Sequence, residues 1–544
     1  MKTIHLSLLF SMFLSIPSML PGQVQTIEAK LGPQLEPLKM PWKNCISVGR
    51  ANNLLRADIL EHLARVQKEI GFRYCRFHAI FDDEMQVVVR KPDNTIEYQW
   101  DEVDKVYDAL LKLGLRPFVE LNPMPAALAS GTQTMFFYKM NVTPPKSYEE
   151  WGNLVEAFTK HIIQRYGQEE VRQWYFEVWN EPNLSGFWSG TKEEYWQLYK
   201  ASAEAVKRVD PKLRVGGPAT SKASWVAEFI EYCDQNKVPL DFVSTHLYPQ
   251  DEQVVYPDRV GSPHKLGEFF GDTVRQTRAT VLKSKRPDLE IHWTEWNSLS
   301  AKNAKAVAWT SNDNVDNLFA ASFIVRNCIE LDKEADTMAY WVASDVFDEG
   351  GMMHSPFSGS YGMLTIHGIP KASYNAFALL NKMKGDVIHT QSSSPFALGR
   401  GICITRELDT YHVIAWNQNF VEEPTQSDWL GQVKMPVSND QPRLAVSATI
   451  AVGAGSPWET WQVMGSPLNL SPMQLNLLMA HSKPNHEMSH LKPVGGSISY
   501  DFLLRPGEVK YWEISVSSKT GSSKVSSKED LEKWDKAMSG KSKK

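Results

Sequence analysis

The sequence predicts an α/β chain: a (β/α)8 TIM barrel carrying an accessory antiparallel β-sandwich domain. Three observations predict it. Between residues 41 and 385, eight apolar runs of strand length alternate with amphipathic helical stretches, the pattern of parallel strands joined by crossover helices. Over 386–516 the runs are short, rich in branched and aromatic residues, and separated by Pro, Gly, Ser and Asn, as in a sandwich. Polar residues also recur at the ends of the barrel runs, on the face where such barrels build their sites.

The elements follow in order. Residues 1–22 read as a signal peptide: Lys2, then an apolar stretch from Leu6 to Ile16, then Pro17, Pro21 and Gly22. The stretch is too short to span a bilayer, so a secreted or periplasmic location is expected, with no membrane span. Residues 23–40 are expected to add edge strands to the sandwich. The barrel strands are expected at Cys45–Ala51, Phe72–Phe81, Arg116–Pro123, Trp174–Asn180, Arg214–Pro218, Asp241–Pro249, Glu290–Asn297 and Thr337–Asp345. Helices such as Arg56–Ile70, Trp100–Leu113, Tyr148–Tyr166 and Glu193–Val209 separate them. A doubly wound sheet is the competing architecture, but no strand leads into a glycine-rich phosphate turn. The sandwich is expected to include Gly401–Thr405, Tyr411–Asn417, Leu444–Val452 and Val509–Val516, with no long helical pattern between them. Residues 517–544 form a Ser- and Lys-rich tail expected to be disordered, with Ser526 and Glu529 spaced as a capping box.

Composition narrows the function classes. The 544 residues carry a net charge of −5, without the basic footprint of a nucleic-acid binder. The five cysteines lie far apart with no C-x-x-C pair, which fits buried thiols better than a zinc site or a disulfide framework. No metal or cofactor is expected. An oligomer is compatible with the sequence. The Asn141-Val142-Thr143 sequon matters only in a host that glycosylates.

The strand ends supply the chemistry. The second strand offers Arg76 and His78, two apart and so on one face. The fourth offers Asn180 and Glu181, the sixth His246 and Tyr248, and the seventh Glu295; beyond the eighth come Asp348 and Glu349. Singly, each is an ordinary loop-start residue. Their recurrence at strand after strand is not. Breaking an acetal needs a protonated group on the leaving oxygen and a negative group facing the anomeric carbon, and two neighbouring carboxyls in unlike surroundings divide those roles. Glu181 and Glu295 are the pair expected to do so. Arg76 would keep one ionised, His246 and Tyr248 would orient it, and Asn180 would donate to the sugar's 2-hydroxyl.

These residues resemble glycoside hydrolase family 39 and its β-xylosidases, in the clan of barrel glycosidases. The resemblance runs through Arg76-Phe77-His78, Arg116-Pro117-Phe118-Val119-Glu120, Leu128-Ala129-Ser130-Gly131, Phe176-Glu177-Val178-Trp179-Asn180-Glu181-Pro182-Asn183-Leu184 and Gly216-Gly217-Pro218. It continues in Asp241-Phe242-Val243-Ser244, Thr294-Glu295-Trp296-Asn297 and Ser344-Asp345-Val346-Phe347. It spans the whole barrel. It implies Glu181 as acid/base and Glu295 as nucleophile, with His78, Asn180, His246, Tyr248 and Asp348 lining the sugar pocket. It also implies retention through a glycosyl-enzyme, no metal, and a β-sandwich beside the barrel.

The chain departs from the family pattern at Arg76-Phe77-His78-Ala79, where Arg-Gly-His-Gly is common. It also departs at Thr245-His246-Leu247-Tyr248-Pro249, and at Asp348-Glu349-Gly350-Gly351 in place of a glutamate pair. Phe77 and Ala79 are expected to alter the pocket shape. The leading expectation is a β-xylosidase releasing xylose from non-reducing ends. An arabinoside, a galactoside or an α-L-iduronide are the alternatives within the enzymes, and a non-catalytic sugar binder is the alternative from another class.

Overall fold

The computed structural model of the chain describes residues 24–32, 36–256, 261–265, 267–298, 315–420 and 427–517. The signal peptide expected over 1–22 and the tail beyond Ser517 lie outside them. Eight parallel strands close a barrel: Cys45–Arg50, Tyr74–His78, Arg116–Leu121, Tyr175–Val178, Arg214–Thr220, Phe242–Leu247, Glu290–Trp296 and Thr337–Tyr340. They follow chain order around the ring, and Tyr340 opposite Ile46 closes it. Seven of them fall inside the expected segments, and the fifth, Arg214–Thr220, runs two residues past the expected Arg214–Pro218.

The crossover helices form where amphipathic stretches carry caps. Tyr148–Tyr166 starts at Ser147, whose hydroxyl accepts from the Glu150 N–H. Lys192–Val209 starts in a capping box of Thr191 and Glu194, which satisfies two of the helix's otherwise orphaned donors. These helices bury Trp151, Phe158, Tyr195 and Tyr199 against the outside of the barrel.

Inside the barrel the side chains stack in layers. The floor is aromatic: Phe118 lies 4.9 Å from Tyr175 and 5.7 Å from Phe242, with Cys45 and Ala339 filling in. Gly216 is required there, because a Cβ would fall 2.3 Å from the Phe242 carbonyl. Strand side chains alternate between faces, so the residues two further along also point inward. These are Arg76, Glu120 and Glu177, all buried. The floor is greasy and the next layer is charged.

The accessory domain is a curled, mostly antiparallel ten-stranded sheet around Ile27, Trp429, Val433, Phe502 and Trp512. Two expectations change here. Gln25–Lys30 is not an edge strand: it pairs antiparallel with Asp386–Ser392 and parallel with Trp429–Pro436. Its buried Ile27 and Ala29 fill the sheet interior from a central position. Two helices, Trp458–Val463 and Pro472–His481, also interrupt the strand pattern. The second opens with a Ser471–Gln474 capping box and Pro472 at its first turn, a start signal present in the sequence. Its Leu478 packs with Trp461 against Phe357 and Ile369 of the loops after the eighth barrel strand. All five cysteines are free and buried. Among the described residues, no helix is long and apolar enough to cross a membrane. The sequon side chain is already engaged: the Asn141 Nδ2 donates to the Gly131 carbonyl (3.0 Å), and its Oδ1 accepts from Thr143.

Candidate active site

One guanidinium organises the charged layer. Arg76 donates from Nε to Glu177 (2.6 Å), from Nη1 to Glu295 (2.8 Å) and from Nη2 to Asn180 Oδ1 (3.0 Å), and Nη2 is also ion-paired with Glu120 at 2.6 Å. Arg76, Glu120 and Glu177 have no exposed side-chain surface. One cation cannot keep three buried carboxyls ionised at equal cost. Burial would raise Glu177, but Arg76 and the Thr294 hydroxyl, 2.7 Å away, bring it below the ordinary range. Glu120 goes the other way: burial, with the charge of Glu177 beside it, outweighs Arg76 and pushes it well above that range. The spare proton stays on Glu120.

Glu295 reaches the cavity through a break in strand alternation. Along the sixth and seventh strands, Thr245 pairs with Trp293 and His246 with Glu295, so Thr294 is an extra residue in the ladder. Such bulges re-aim side chains. Thr294 and Glu295, though adjacent, both make contacts inside the barrel. Glu295 Oε1 takes the Arg76 bond, and Oε2 accepts from the Tyr248 hydroxyl at 2.9 Å. Each of its two oxygens thus accepts from a fixed donor, one of them a guanidinium.

Glu181 has a different setting. Its backbone is left-handed (φ 45°), as is that of Trp179 (φ 69°). The strain is held by its N–H donating to the Ala219 carbonyl at 2.8 Å. Only 7% exposed, its carboxyl is pushed up to about 7 by burial, against the pull of Lys222, His78 and Arg76. Its Oε1 lies 3.0 Å from His246 Nδ1. Burial drives that imidazole down to about 4, so it is neutral. The Thr294 hydroxyl gives its hydrogen to Glu177, so its oxygen accepts from His246 Nε2 at 3.2 Å, a shorter contact than the 3.5 Å between that nitrogen and Arg76 Nη2. We therefore assign the Nδ1 lone pair to accept from a protonated Glu181.

Carboxylate oxygens of Glu181 and Glu295, with His246, lie within 4.8 Å of one another. That is the short spacing of retaining glycosidases, where the two carboxyls stand about 5 Å apart. The same trio has ligand spacing for a metal ion. The Arg76 guanidinium 2.8 Å from Glu295 sets a permanent positive charge beside any such ion and opposes it.

The two glutamates open on a cavity of about 210 Å³. His78 and Asn180 line it as expected from sequence, and so does Tyr248. His78 is neutral, driven down to about 4 by burial; its Nδ1 faces Glu120 at 2.9 Å and its Nε2 lies 3.6 Å from Glu295. His246 sits beneath the pair rather than in the cavity wall.

Asp348, expected in the pocket, is elsewhere. Arg50 of the first strand grips it from Nε (3.1 Å) and Nη2 (2.7 Å), which turns the loop so that its neighbour Glu349 faces the cavity, 3.7 Å from His78 Nε2. Phe77 also corrects an expectation. It is buried on the outer face of its strand, 6.1 Å from Tyr107, away from the pocket. Ala79 occupies a left-handed position (φ 71°), which explains why glycine suits that place.

The sequence reading missed Trp341, Tyr361 and Lys222, which also line the cavity. Trp341 lies 4.6 Å from His78 and offers a ring face to a sugar. It directly follows the Thr337–Tyr340 strand, so a strand ending there rather than at Asp345 would have flagged it. Lys222 and Tyr361 come from loops with no periodic signal.

The model of the family described as glycosyl hydrolases family 39 matches residues 25–499. The chain belongs to glycosyl hydrolase family 39. It is 36% identical over 502 residues to a β-xylosidase of Caldicellulosiruptor saccharolyticus, covering 92% of this chain and 99% of that one. To a β-xylosidase of Geobacillus stearothermophilus it is 34% identical over 492 residues, 88% and 93% of the two chains. A solved structure of a monomeric β-xylosidase from Caulobacter crescentus CB15 superposes with a TM-score of 0.81 at 31% identity, covering 91% of this chain and all of that one. This family 39 chain is thus a glycosidase on a TIM barrel.

Proposed function

We propose that the enzyme is a retaining β-xylosidase that removes xylose from the non-reducing ends of xylo-oligosaccharides, exported to the periplasm or the outside. The observation that carries it is the pairing of two carboxyls within 4.8 Å, one raised to about 7 by burial and one bonded to Arg76 and Tyr248. The long β-xylosidase relatives support the sugar. A one-sugar cavity with Trp341 in its wall supports action at chain ends.

In the first half-reaction the Glu295 carboxylate attacks the anomeric carbon while the Glu181 O–H gives its proton to the departing oxygen, which leaves as an alcohol. In the second, the Glu181 carboxylate takes a proton from water as the water oxygen displaces Glu295. Asn180 is already oriented by Arg76 through its Oδ1, which frees its NH₂ to donate to the sugar's 2-hydroxyl.

A panel of aryl glycosides tests the sugar: turnover of the β-xyloside should exceed that of α-arabinosides, β-galactoside and α-iduronide. No turnover of any would return the chain to a sugar-binding role. Glu181→Ala is expected to slow xylosides with poor leaving groups by about 10²–10⁴-fold, the worth of a general acid, and those with good leaving groups far less in the first step. Equal losses would remove Glu181 from the acid role. In the wild type, kcat/KM for poor leaving groups should fall as pH rises through about 7, where Glu181 loses its proton.

A further inference from the structure

Glu181 needs to release a proton and then carry a negative charge in a buried place, and the charged groups around it do not obviously allow that. From the second strand it faces Arg76 and His78, and from the third and fourth Glu120 and Glu177. From the sixth strand and its loop come His246, Tyr248 and Asp251; from the seventh, Glu295; from the loop after the eighth, Glu349 and Tyr361. The list is dominated by acids. Its one guanidinium, Arg76, is already committed to Glu120, Glu177 and Glu295.

A second cation is present. Lys222 lines the cavity beside Glu181, Ser221 and Asp251, and among the described residues it makes no ion pair within 4.0 Å. It rides on the turn Ser221–Ala223 after the fifth barrel strand. That turn is tied to the loop carrying Glu181 by reciprocal bonds: Asn183 Nδ2 donates to the Ser221 carbonyl (3.0 Å), and the Ser221 N–H donates to Asn183 Oδ1 (2.9 Å). Lys222 and Ala223 are held in left-handed backbone (φ 62° and 53°), a cost sustained by the surrounding contacts. The local structure therefore fixes an unpaired ammonium at the edge of an acidic cavity, on the loop bonded to the Glu181 loop.

We propose that Lys222 is a positioning residue for the acid/base step: its ammonium is the counter-charge that lets Glu181 give up its proton to the leaving group and remain anionic while water is activated. This rests on the reading of Glu181 as the acid/base. Burial is the largest influence on the Glu181 carboxyl, and the Lys222 charge is the largest one opposing it. In the glycosyl-enzyme the Glu295 charge is consumed in the ester, and with Arg76 and Lys222 both nearby, the Glu181 carboxylate persists as a base.

The test compares Lys222→Met and Lys222→Arg with the wild type. Methionine keeps the length of the stem and adds no new backbone cost at a positive φ. Removing a cation raises the pKa of a neighbouring carboxyl. The basic limb of kcat/KM for alkyl β-xylosides should therefore move up by about 0.5–1 pH unit in K222M and stay within about 0.2 unit of wild type in K222R. The same midpoints should appear in a carbon-13 NMR titration of protein labelled at glutamate Cδ, with the Glu181 signal identified by its loss in E181Q. A K222M midpoint that does not move, or a K222R shift as large as that of K222M, would overturn the proposal. A wild type that cleaves no glycoside would instead defeat the hydrolase reading, and the NMR midpoints would still decide whether Lys222 holds Glu181 down.

Discussion

Glu295→Ala is expected to lower kcat on aryl β-xylosides by on the order of 10⁴–10⁶-fold, the loss seen when a covalent nucleophile is removed from a preorganised site. The same variant supplied with azide should regain turnover and release the α-xylosyl azide, because a small anion can occupy the space of the missing carboxylate and attack from its face. The prediction follows from geometry: the Thr294 bulge turns Glu295 inward, and Arg76 and Tyr248 fix both of its oxygens. Product analysis by proton NMR reads the configuration. A residual rate within tenfold of wild type, without azide, would exclude Glu295 as the attacking group.

The second large effect is on folding. Arg76→Met removes the cation from between three carboxyls and leaves them buried, which should cost about 3–5 kcal/mol near neutral pH. The sign of its pH dependence follows from Glu177. Its folded pKa is depressed, so its contribution is present above the unfolded carboxylate range and is lost as pH falls through the folded value. Without Arg76 the largest influence opposing burial on Glu177 and Glu120 is gone, so both carboxyls rise. The variant should then gain stability relative to wild type as the pH is lowered from 7.5 to 5.5. Denaturant melts at the two pH values check this; a difference that widens toward acid would contradict the charge account.

The barrel was legible because its signals are local and repeated: each strand-length run, from Cys45–Arg50 to Thr337–Tyr340, lies between amphipathic helices. The paired residues Arg76/His78 and His246/Tyr248 were legible because a spacing of two puts side chains on one face. What was hidden depends on contacts across the fold. Asp348 and Glu349 are adjacent acids, and the grip of Arg50, from the strand beside the eighth, decides which one turns to the cavity. Phe77 looked like a pocket neighbour of His78, yet strand alternation sends it outward to Tyr107. Gln25–Lys30 looked peripheral because it precedes the barrel by chain order, whereas pairing places it inside the sheet. Lys222 carries no motif, and its importance comes from the unpaired position its turn gives it.

The most direct measurement of the central claim is trapping of the covalent intermediate. Treatment with 2,4-dinitrophenyl 2-deoxy-2-fluoro-β-xyloside should inactivate the enzyme with a mass gain of one fluoroxylosyl unit, carried by the peptide containing Glu295. Attachment to Glu181 or Glu349, or inactivation with no stable adduct at Glu295, would contradict the division of labour between the two carboxyls.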